Sequence, residues 1–527
     1  MMNWLKKPLP AALILVLLWT VCRLAVLWHT GIPQPSVQDE FSYLLGADTF
    51  AHGRLANPVP ALGEFFESPH ILVRPVYASK YQPGQALFLA LGQRLFGSAF
   101  YGVLIGNVLM LFTFCLMLYA WVPPPWALAV TAMFGLILSP RMYWTNSYWG
   151  GSVAASGGAL VLLGVGAYRT RQTLLAGVVF AIGALLLFWT RPYEGGVFTL
   201  IVLMVFAREL WRKRRAGVFA ATVAVLALGG AWTCYFNHAV TGNPFLLPYQ
   251  LHTSQYDVTP VFWFQPLRPE PAYSHPRLAG QCGTGGFQMV AYQKERPRWQ
   301  LPGIDLVAVL ETLEWPLGAA LLLTLAVPVA WRDPLYWRMA IVAGVFLLAL
   351  IIETYHLEHY TAPVWGALAL MIAVWAGHAW DLRIRTRRVG IALVLLALTL
   401  PVFVAISYVP RFLQRHSRPL TFDSRNLPPP DLWQNRRFAL MERLSALDRP
   451  QLVIVRYPSP DWAIHEEWVY NGADIDGQRV VFAHDLGMKQ NRALLDCYSS
   501  RAALLLTFDR ESGQEQIAPY PQQPQQP

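Results

Sequence analysis

Long apolar runs separated by short polar breaks dominate the chain from Pro10 almost to Ser407. Each run approaches the roughly 20 residues that a helix needs to cross a bilayer. The eleven predicted spans are about Pro10–Trp28, Phe100–Val122, Trp126–Leu138, Ser152–Tyr168, Thr173–Trp189, Gly195–Leu210, Ala216–Phe236, Leu313–Ala330, Tyr336–Ile352, Thr361–Trp380 and Val389–Ser407. The pattern predicts a polytopic α-helical membrane protein.

Three longer polar segments interrupt or follow the spans: a first outer loop (30–99), a second outer loop (237–304) and a segment that begins at Tyr408. Basic residues concentrate in alternate breaks, for example at Arg212–Arg215. Cytoplasmic loops carry the excess of Lys and Arg. We therefore predict a cytoplasmic amino terminus, and we place all three segments on the opposite side of the membrane.

The carboxyl-terminal segment has a different pattern. Short apolar runs at Leu452–Val455, Val480–Ala483 and Ala503–Thr507 alternate with helical stretches. This alternation predicts a small α/β domain over 408–518 with a largely parallel sheet. No Gly-rich fingerprint follows a strand, so no nucleotide is assigned. The Pro- and Gln-rich tail, 519–527, is predicted to be disordered.

Composition agrees with a membrane protein. Of 527 residues, 55% are hydrophobic and 14% are charged, against about 25% charged in soluble proteins. The net charge of +10 lies largely in breaks between spans, which argues against nucleic-acid binding. The five cysteines form no CxxC pair, so no zinc or redox motif is present. Cys282 and Cys497 both fall in outer segments, which leaves a disulfide between them open.

Two adjacent carboxylates, Asp39 and Glu40, open the first outer loop at the start of an amphipathic stretch. A carboxylate at the outer membrane surface can accept a proton from a hydroxyl or an amine that arrives from water. The pair can also complement the positive end of a helix capped by Ser36. Both interpretations stay open at this point.

Further polar clusters lie at the outer ends of other spans. They comprise Tyr43, Lys80, Tyr81, Asn146, Tyr148, Trp149, Arg191, Tyr193, Glu194, His356, His359 and Tyr360. Aromatic side chains with a polar edge suit sugar rings, and cations suit a phosphate. Taken singly, the aromatics are also typical interfacial anchors, and Arg191 can be a snorkelling charge. The histidine pair around Glu358 is a weak metal pattern without a third ligand.

The spans themselves contain almost no ionisable residue at mid-depth, apart from Arg23 in the outer half of its helix. Ion-coupled carriers place Asp, Glu or His along the membrane pathway. The pattern therefore favours an enzyme that works at the membrane rim over a carrier.

These features together resemble the GT-C glycosyltransferases, which take a sugar from a polyprenyl-phosphate or related lipid carrier. The resemblance rests on Asp39-Glu40 with Tyr43, on the run from Lys80 to Gly84, and on the run from His359 to Pro363. It covers the first 407 residues in layout and is greatest to the branch of protein O-mannosyltransferases, aminoarabinose transferases and lipopolysaccharide-core transferases. It implies a GT-C-like membrane catalytic domain over 1–407.

The resemblance also implies roles. Asp39 is similar in position to the general base, with Glu40 as partner or alternative. Lys80, and His359 with Tyr360, match elements that hold the carrier phosphate or donor sugar. We expect Tyr81, Arg191 and His356 on the donor side, and Tyr43, Asn146, Tyr148, Trp149, Tyr193 and Glu194 on the sugar or acceptor side.

The sequence thus predicts a glycosyltransferase of a bacterial-type inner membrane, active on the periplasmic side and inverting. Its partners are a polyprenyl-phosphate-linked sugar, an acceptor glycan, lipid or protein, and the bilayer, without nucleic acid. No cofactor or metal is required, although a carboxylate pair can hold a divalent ion. Two alternatives are a flippase or exporter of a lipid-linked glycan, and a non-catalytic envelope-assembly protein.

Overall fold

The computed structural model describes residues 7–139, 142–295, 313, 315–413, 432–459, 462, 466–509 and 512–521. Helices dominate it, as the apolar pattern predicts. The helices are α1 (Pro8–Thr30), α2 (Gln38–Ala51), α3 (Pro83–Phe96), α4 (Phe100–Trp121), α5 (Pro124–Ile137), α6 (Gly151–Arg171), α7 (Leu174–Thr190), α8 (Pro192–Arg212), α9 (Ala216–Thr241), α10 (Pro248–Tyr256), α11 (Pro276–Cys282), α12 (Phe287–Glu295), α13 (Trp315–Ala326), α14 (Pro334–Leu350), α15 (Trp365–Ala379), α16 (Val389–Leu413), α17 (Trp433–Ser445) and α18 (Met488–Cys497).

Among the described residues, five helical segments are long and apolar enough to cross a membrane: α1, α4, α6, α9, and α15 with the 3₁₀ turn Glu358–Val364 before it. Five shorter apolar helices accompany them, namely α5, α7, α14, most of α13 and the first part of α16. The predicted class, a polytopic helical membrane protein with a small carboxyl-terminal sheet domain, is confirmed. The last apolar helix runs to Leu413, beyond the predicted end at Ser407.

The first outer loop folds onto the ends of the helices. Its first helix, α2, begins at Gln38 after an extended Val37, so Ser36 is not the cap that the sequence predicted. The second, α3, is the short apolar helix expected after Pro83. It packs closely on α4, because a Cβ on Gly92 would lie 2.1 Å from the backbone nitrogen of Gly102. A two-stranded ribbon of β1 (Ile71–Leu72) and β2 (Ala78–Ser79) completes the loop.

The carboxyl-terminal domain is α/β, as predicted. Its strands β3 (Gln451–Val455), β4 (Val480–His484) and β5 (Ala502–Phe508) include the three predicted runs. The sheet order is β4-β3-β5-β6, with β3 parallel to both neighbours. A fourth strand, β6 (Glu515–Pro519), pairs antiparallel with β5 and was not predicted. The tail from 519 was predicted to be disordered, but Pro519 ends β6 and Tyr520 is buried, so its first residues are ordered. Residues 522–527 lie outside the described part of the chain.

This domain shares one hydrophobic core with the first outer loop. Phe41 of α2 stacks on Tyr470 with ring centroids 4.4 Å apart, and both belong to a single buried cluster with Phe66 and the strands β3 and β4. The Tyr470 hydroxyl donates to the Pro69 carbonyl at 3.0 Å. The first outer loop and the carboxyl-terminal domain therefore lie on the same side of the helices.

Basic residues gather at the opposite end. Arg169 near the end of α6 and Arg338 near the start of α14 both bind Glu209 near the end of α8, at 2.6 and 3.0 Å. The cytoplasmic placement of this end stays a prediction from the positive-inside pattern.

Candidate active site

The two adjacent carboxylates of α2 have different surroundings. The Glu40 side chain is fully buried. Its Oε2 accepts from the backbone N–H groups of Ser36 at 2.7 Å and Val37 at 3.3 Å, and its Oε1 accepts from the Tyr148 N–H at 2.9 Å. Asp39 keeps 28% of its side chain exposed. Of the pair that the sequence predicted as catalytic, Asp39 is open to a reactant. Glu40 fastens the start of α2 to the segment between α5 and α6, which contains Tyr148.

Asp39 is held as a carboxylate by its neighbours. Tyr81 donates its hydroxyl hydrogen bond to Oδ1, and the His70 Nε2 lies 3.7 Å from Oδ2. Burial raises the pKa of Asp39, but the nearby His70 and Lys80 and the Tyr81 hydrogen bond outweigh it and lower the pKa below its usual value. Burial and the Lys80 charge lower the pKa of His70 to about 3, so its imidazole is neutral at pH 7, and Lys80 and Tyr81 are the groups that keep Asp39 ionised there.

His70 was not predicted, and its backbone conformation is unusual. It has φ of 67°, in the left-handed region that few non-glycine residues adopt. The Ser42 hydroxyl donates to its carbonyl at 2.6 Å and the Lys80 N–H does so at 3.2 Å. These bonds fix the turn that brings the His70 ring beside Asp39. No sequence pattern marks the residue, because the left-handed turn depends on the folded ribbon.

Lys80 is a buried cation next to this carboxylate, with only 3% of the residue exposed. Its Nζ lies 5.2 Å from the Tyr81 ring centroid and 4.8 Å from that of Tyr249, within cation–π range. In the part of the chain that the structure describes, no carboxylate lies within 4 Å of Nζ. Burial lowers the pKa of Lys80, and the charges of Asp257 and Asp39 raise it, so an anion that binds beside Nζ favours the ammonium form.

The second outer loop covers Lys80 through α10. Tyr249 and His252, one turn apart on this helix, face the first loop, where the His70 and His252 ring centroids are 6.0 Å apart. Asp257, which follows α10, lies 3.7 Å from His252 Nδ1. The charges of His252 and Lys80 hold the pKa of Asp257 below its usual range despite its burial. Sequence analysis missed Tyr249 and Asp257; the i, i+3 spacing of Tyr249 and His252 is the signal that could have found them.

A second ionic cluster lies at the junction of α7 and α8. The Arg191 guanidinium stacks 4.3 Å above the Tyr360 ring and pairs with Glu194 at 3.3 Å. Glu353 is also buried, and burial and the Glu194 charge raise its pKa. Tyr43 connects this cluster to the Asp39 site, because it stacks on Tyr81 at 4.3 Å and lies within the field of Arg191. The structure thus brings these predicted residues to one face.

The other predicted residues are packed more deeply. His359 is 4% exposed; its Nδ1 lies 2.5 Å from the Tyr143 hydroxyl, and its ring meets Trp149 at 5.2 Å. The His356 Nε2 lies 3.2 Å from the Leu350 carbonyl. The Tyr193 hydroxyl donates to the Ala349 carbonyl at 2.8 Å. These side chains connect helix ends in the folded state.

Asn146 and Tyr148 are also bound within the protein. The Arg23 Nη2 donates to Asn146 Oδ1 at 2.7 Å and to the Thr145 carbonyl at 2.6 Å. The Tyr148 hydroxyl donates to the Pro33 carbonyl at 2.9 Å. Arg23, the one charge that stood out within the predicted spans, therefore fastens α1 to the segment between α5 and α6. Asn146 and Tyr148 were predicted to contact sugar, but both side chains are buried.

Cysteines and metal ligands add nothing to this site. Cys282 and Cys497 are both free, the first buried and the second exposed, so they form no disulfide. Among the described residues, no group of three or more His, Cys, Asp or Glu side chains lies close enough together to hold a metal ion.

The fold of the chain is similar to that of several solved structures, at low sequence identity. No protein-family model and no curated protein matches the chain. Among solved structures, it is similar to ArnT from Cupriavidus metallidurans in the apo state, with 15% identity over 94% of this chain and 92% of that one and a TM-score of 0.47. It is also similar to the archaeal oligosaccharyltransferase AglB from Archaeoglobus fulgidus, in complex with an inhibitory peptide and a dolichol-phosphate, with 11% identity over 96% and 70% and a TM-score of 0.45.

The apo oligosaccharyltransferase of Archaeoglobus fulgidus matches with 14% identity over 89% of this chain and 64% of that one, at a TM-score of 0.44. The function of the chain is therefore inferred from its own residues.

Proposed function

We propose that the chain is an integral-membrane glycosyltransferase that moves a sugar from a polyprenyl-phosphate donor to an acceptor hydroxyl or amine at the outer face. One observation carries the proposal: a partly exposed carboxylate, Asp39, lies in the field of a buried ammonium group, Lys80, which has no carboxylate within 4 Å among the described residues. A base and an anion site are the two groups that this transfer needs.

Asp39 is suited to act as the base. Its lowered pKa keeps it ionised at neutral pH, and its exposed edge admits an acceptor. The acceptor O–H or N–H proton passes to the Asp39 carboxylate as the acceptor atom bonds to the anomeric carbon. The bond from that carbon to the phosphate oxygen breaks, and the phosphate leaves with the electron pair. Attack from the face opposite the phosphate inverts the anomeric centre.

Lys80 is suited to hold the departing phosphate. Its ammonium group is desolvated between Tyr81 and Tyr249, and a charge in such a site stabilises an anion more than it does in water. Arg191 supplies a second positive charge on the same face, although Glu194 neutralises part of it. These two cations can balance a phosphate, so we assign no metal to the reaction.

The polyprenyl chain of the donor suits the apolar bundle, and the acceptor approaches from the outer segments. We place the protein in a bacterial-type inner membrane, with the amino terminus in the cytoplasm and the carboxyl-terminal domain in the periplasm. The basic cluster at the opposite helix ends supports this orientation.

The test is transfer of labelled sugar from polyprenyl-phosphate donors in membranes, with the wild type, Asp39→Asn and Asp381→Asn at matched expression. Asp381 is an exposed aspartate between α15 and α16 and serves as the control. We expect Asp39→Asn to lose about 100-fold or more of the transfer rate, as general-base removal does, with donor binding retained.

Equal transfer by the wild type and Asp39→Asn would remove Asp39 as the base. Absence of transfer by the wild type from every donor tested would favour the flippase or exporter alternative.

A further inference from the structure

The carboxyl edge of the small sheet forms a crevice at a topological switch. The chain enters the sheet at its centre, in β3, and the next two strands lie on either side of it. Open α/β sheets bind ligands at such a place, beside the carboxyl ends of the strands. Here Tyr457 follows β3, His484 ends β4 and Phe508 ends β5, and the Tyr457 ring stacks on Phe508 at 5.5 Å.

Arg277 of α11, in the second outer loop, fills this crevice. Its guanidinium lies 4.2 Å above the Tyr457 ring, and its Nε donates to Glu467 Oε2 at 3.1 Å. Further donations reach the carbonyls of Glu466, at 3.3 Å, and Trp462. The Arg277 and Glu467 side chains are 4% and 0% exposed. The α/β domain thus holds a side chain of its own chain in the place where related folds hold a ligand.

The receiving carboxylate is organised for this role. Glu467 Oε1 accepts the Tyr457 hydroxyl at 2.5 Å and the Val469 N–H at 3.1 Å, which leaves Oε2 directed at Arg277. A guanidinium group presents five donors in a rigid plane. The planar contact on Tyr457 and the contacts to carbonyls in that plane select arginine over lysine.

Three outer segments meet beside this contact. The Nε2 atoms of His275, in the second loop, and His484, in the α/β domain, both lie 2.9 Å from the Glu67 carbonyl of the first loop. The two rings stack at 3.9 Å. His275 Nδ1 also accepts the Leu278 N–H at the start of α11. Arg277 therefore enters the crevice from a fixed helix start.

The same segment carries the cover of the candidate site. Leu278 and Cys282 of α11 pack against Tyr256 at the end of α10, and the Val258 N–H donates to the Cys282 carbonyl at 3.3 Å. Because α10 presents Tyr249 over Lys80, the position of α11 determines the position of that ring.

We propose that the carboxyl-terminal domain acts as a clamp for the second outer loop, with Arg277 as the positioning residue that keeps α10 closed over Lys80. The occupant of the crevice is this chain's own arginine. The effect of the clamp on transfer rests on the proposed function, whereas its effect on α10 does not.

Amide hydrogen exchange of the full-length protein in detergent tests the clamp. The variants are Arg277→Met, which keeps most of the side-chain length, and Arg449→Met. Arg449 is an exposed arginine of the α/β domain and donates to the carbonyls of Ser499 and Ser500. We expect exchange in α10 and α11 to rise at least tenfold in Arg277→Met and to stay at the wild-type rate in Arg449→Met. Ethylguanidinium added to Arg277→Ala should restore protection in proportion to its concentration.

Unchanged protection of α10 in Arg277→Met would overturn the clamp. If that variant does not fold, Glu467→Gln, which keeps the acceptor for Tyr457, takes its place with the same expectation and the same refutation. In transfer assays, we expect a raised donor KM with a smaller change in kcat. Loss of protection without any sugar transfer by the wild type would keep the clamp and reject the glycosyltransferase.

Discussion

The difference between the two adjacent carboxylates gives the sharpest prediction. Replacement of Glu40 by alanine leaves the N–H groups of Ser36, Val37 and Tyr148 without their acceptor. A hydrogen bond to a charged group contributes about 1.5–3 kcal/mol, and water that enters the space offsets part of the loss. We expect a destabilisation of about 3–5 kcal/mol in total, because each of the three buried N–H groups left without an acceptor costs about 1–3 kcal/mol before water recovers part of it.

Thermal unfolding of the purified protein measures this effect. We expect the melting temperature of Glu40→Ala to fall by roughly 5 °C or more, while the fraction that stays folded retains transfer. We expect the opposite result for Asp39→Asn, on the preceding residue: the melting temperature stays near that of the wild type and transfer is lost. A Glu40→Ala protein with wild-type stability and no transfer would refute the division of roles and make Glu40 the base.

The pH dependence of stability provides a second readout for the same residue. Burial raises the pKa of Glu40 to about 7, against hydrogen bonds from Ser36, Tyr148 and Val37 that favour the carboxylate. Between the unfolded value of 4.5 and about 7, the folded state binds a proton that the unfolded state has lost. The contribution of Glu40 to stability therefore falls as pH rises through this window. Glu40→Gln should remove this pH dependence of the free energy of unfolding. An unchanged pH dependence would show that a group other than Glu40 causes it.

Three further predictions concern the surroundings of the site. Tyr81→Phe removes a hydrogen bond that lowers the pKa of Asp39, so the acid limb of the transfer rate against pH should move to higher pH; an unmoved limb argues against Asp39 as the base. Asn146→Ala removes one side-chain acceptor of Arg23 and should lower the free energy of unfolding by about 1–3 kcal/mol, with the donor KM unchanged. Gly102→Ala places a Cβ 2.2 Å from the Phe88 carbonyl oxygen and should lower the yield of folded protein in size-exclusion chromatography, which wild-type yield would contradict.

Sequence periodicity predicted the helical class, the short helix after Pro83 and the three parallel strands, because each depends on a local apolar pattern. It missed β6, whose five residues alternate weakly and follow a turn. It also placed the start of α2 at Ser36. The carboxylate of Glu40, and not the Ser36 hydroxyl, takes the N–H groups at that helix start.

Some residues of the candidate site could be found in the sequence, and others could be found only in the folded structure. Asp39 and Lys80 are found in the sequence because charges at the head of a membrane loop are rare and conspicuous. The choice of Asp39 over Glu40 as the base required the fold. Glu40 is buried because it accepts from Tyr148, which is 108 residues away in the chain. His70 and Tyr249 reach the site only because a left-handed turn and a helix of the second outer loop bring them there.

By itself, the sequence determined that the chain belongs in a membrane, that its polar clusters lie at one end of the helices and that an α/β domain follows. These properties depend on composition and on periods of a few residues. The tertiary structure alone decided which carboxylate is open, which cation is buried near it and which loop the α/β domain holds through Arg277. These properties depend on burial and on contacts between residues far apart in the chain, and no local pattern encodes them.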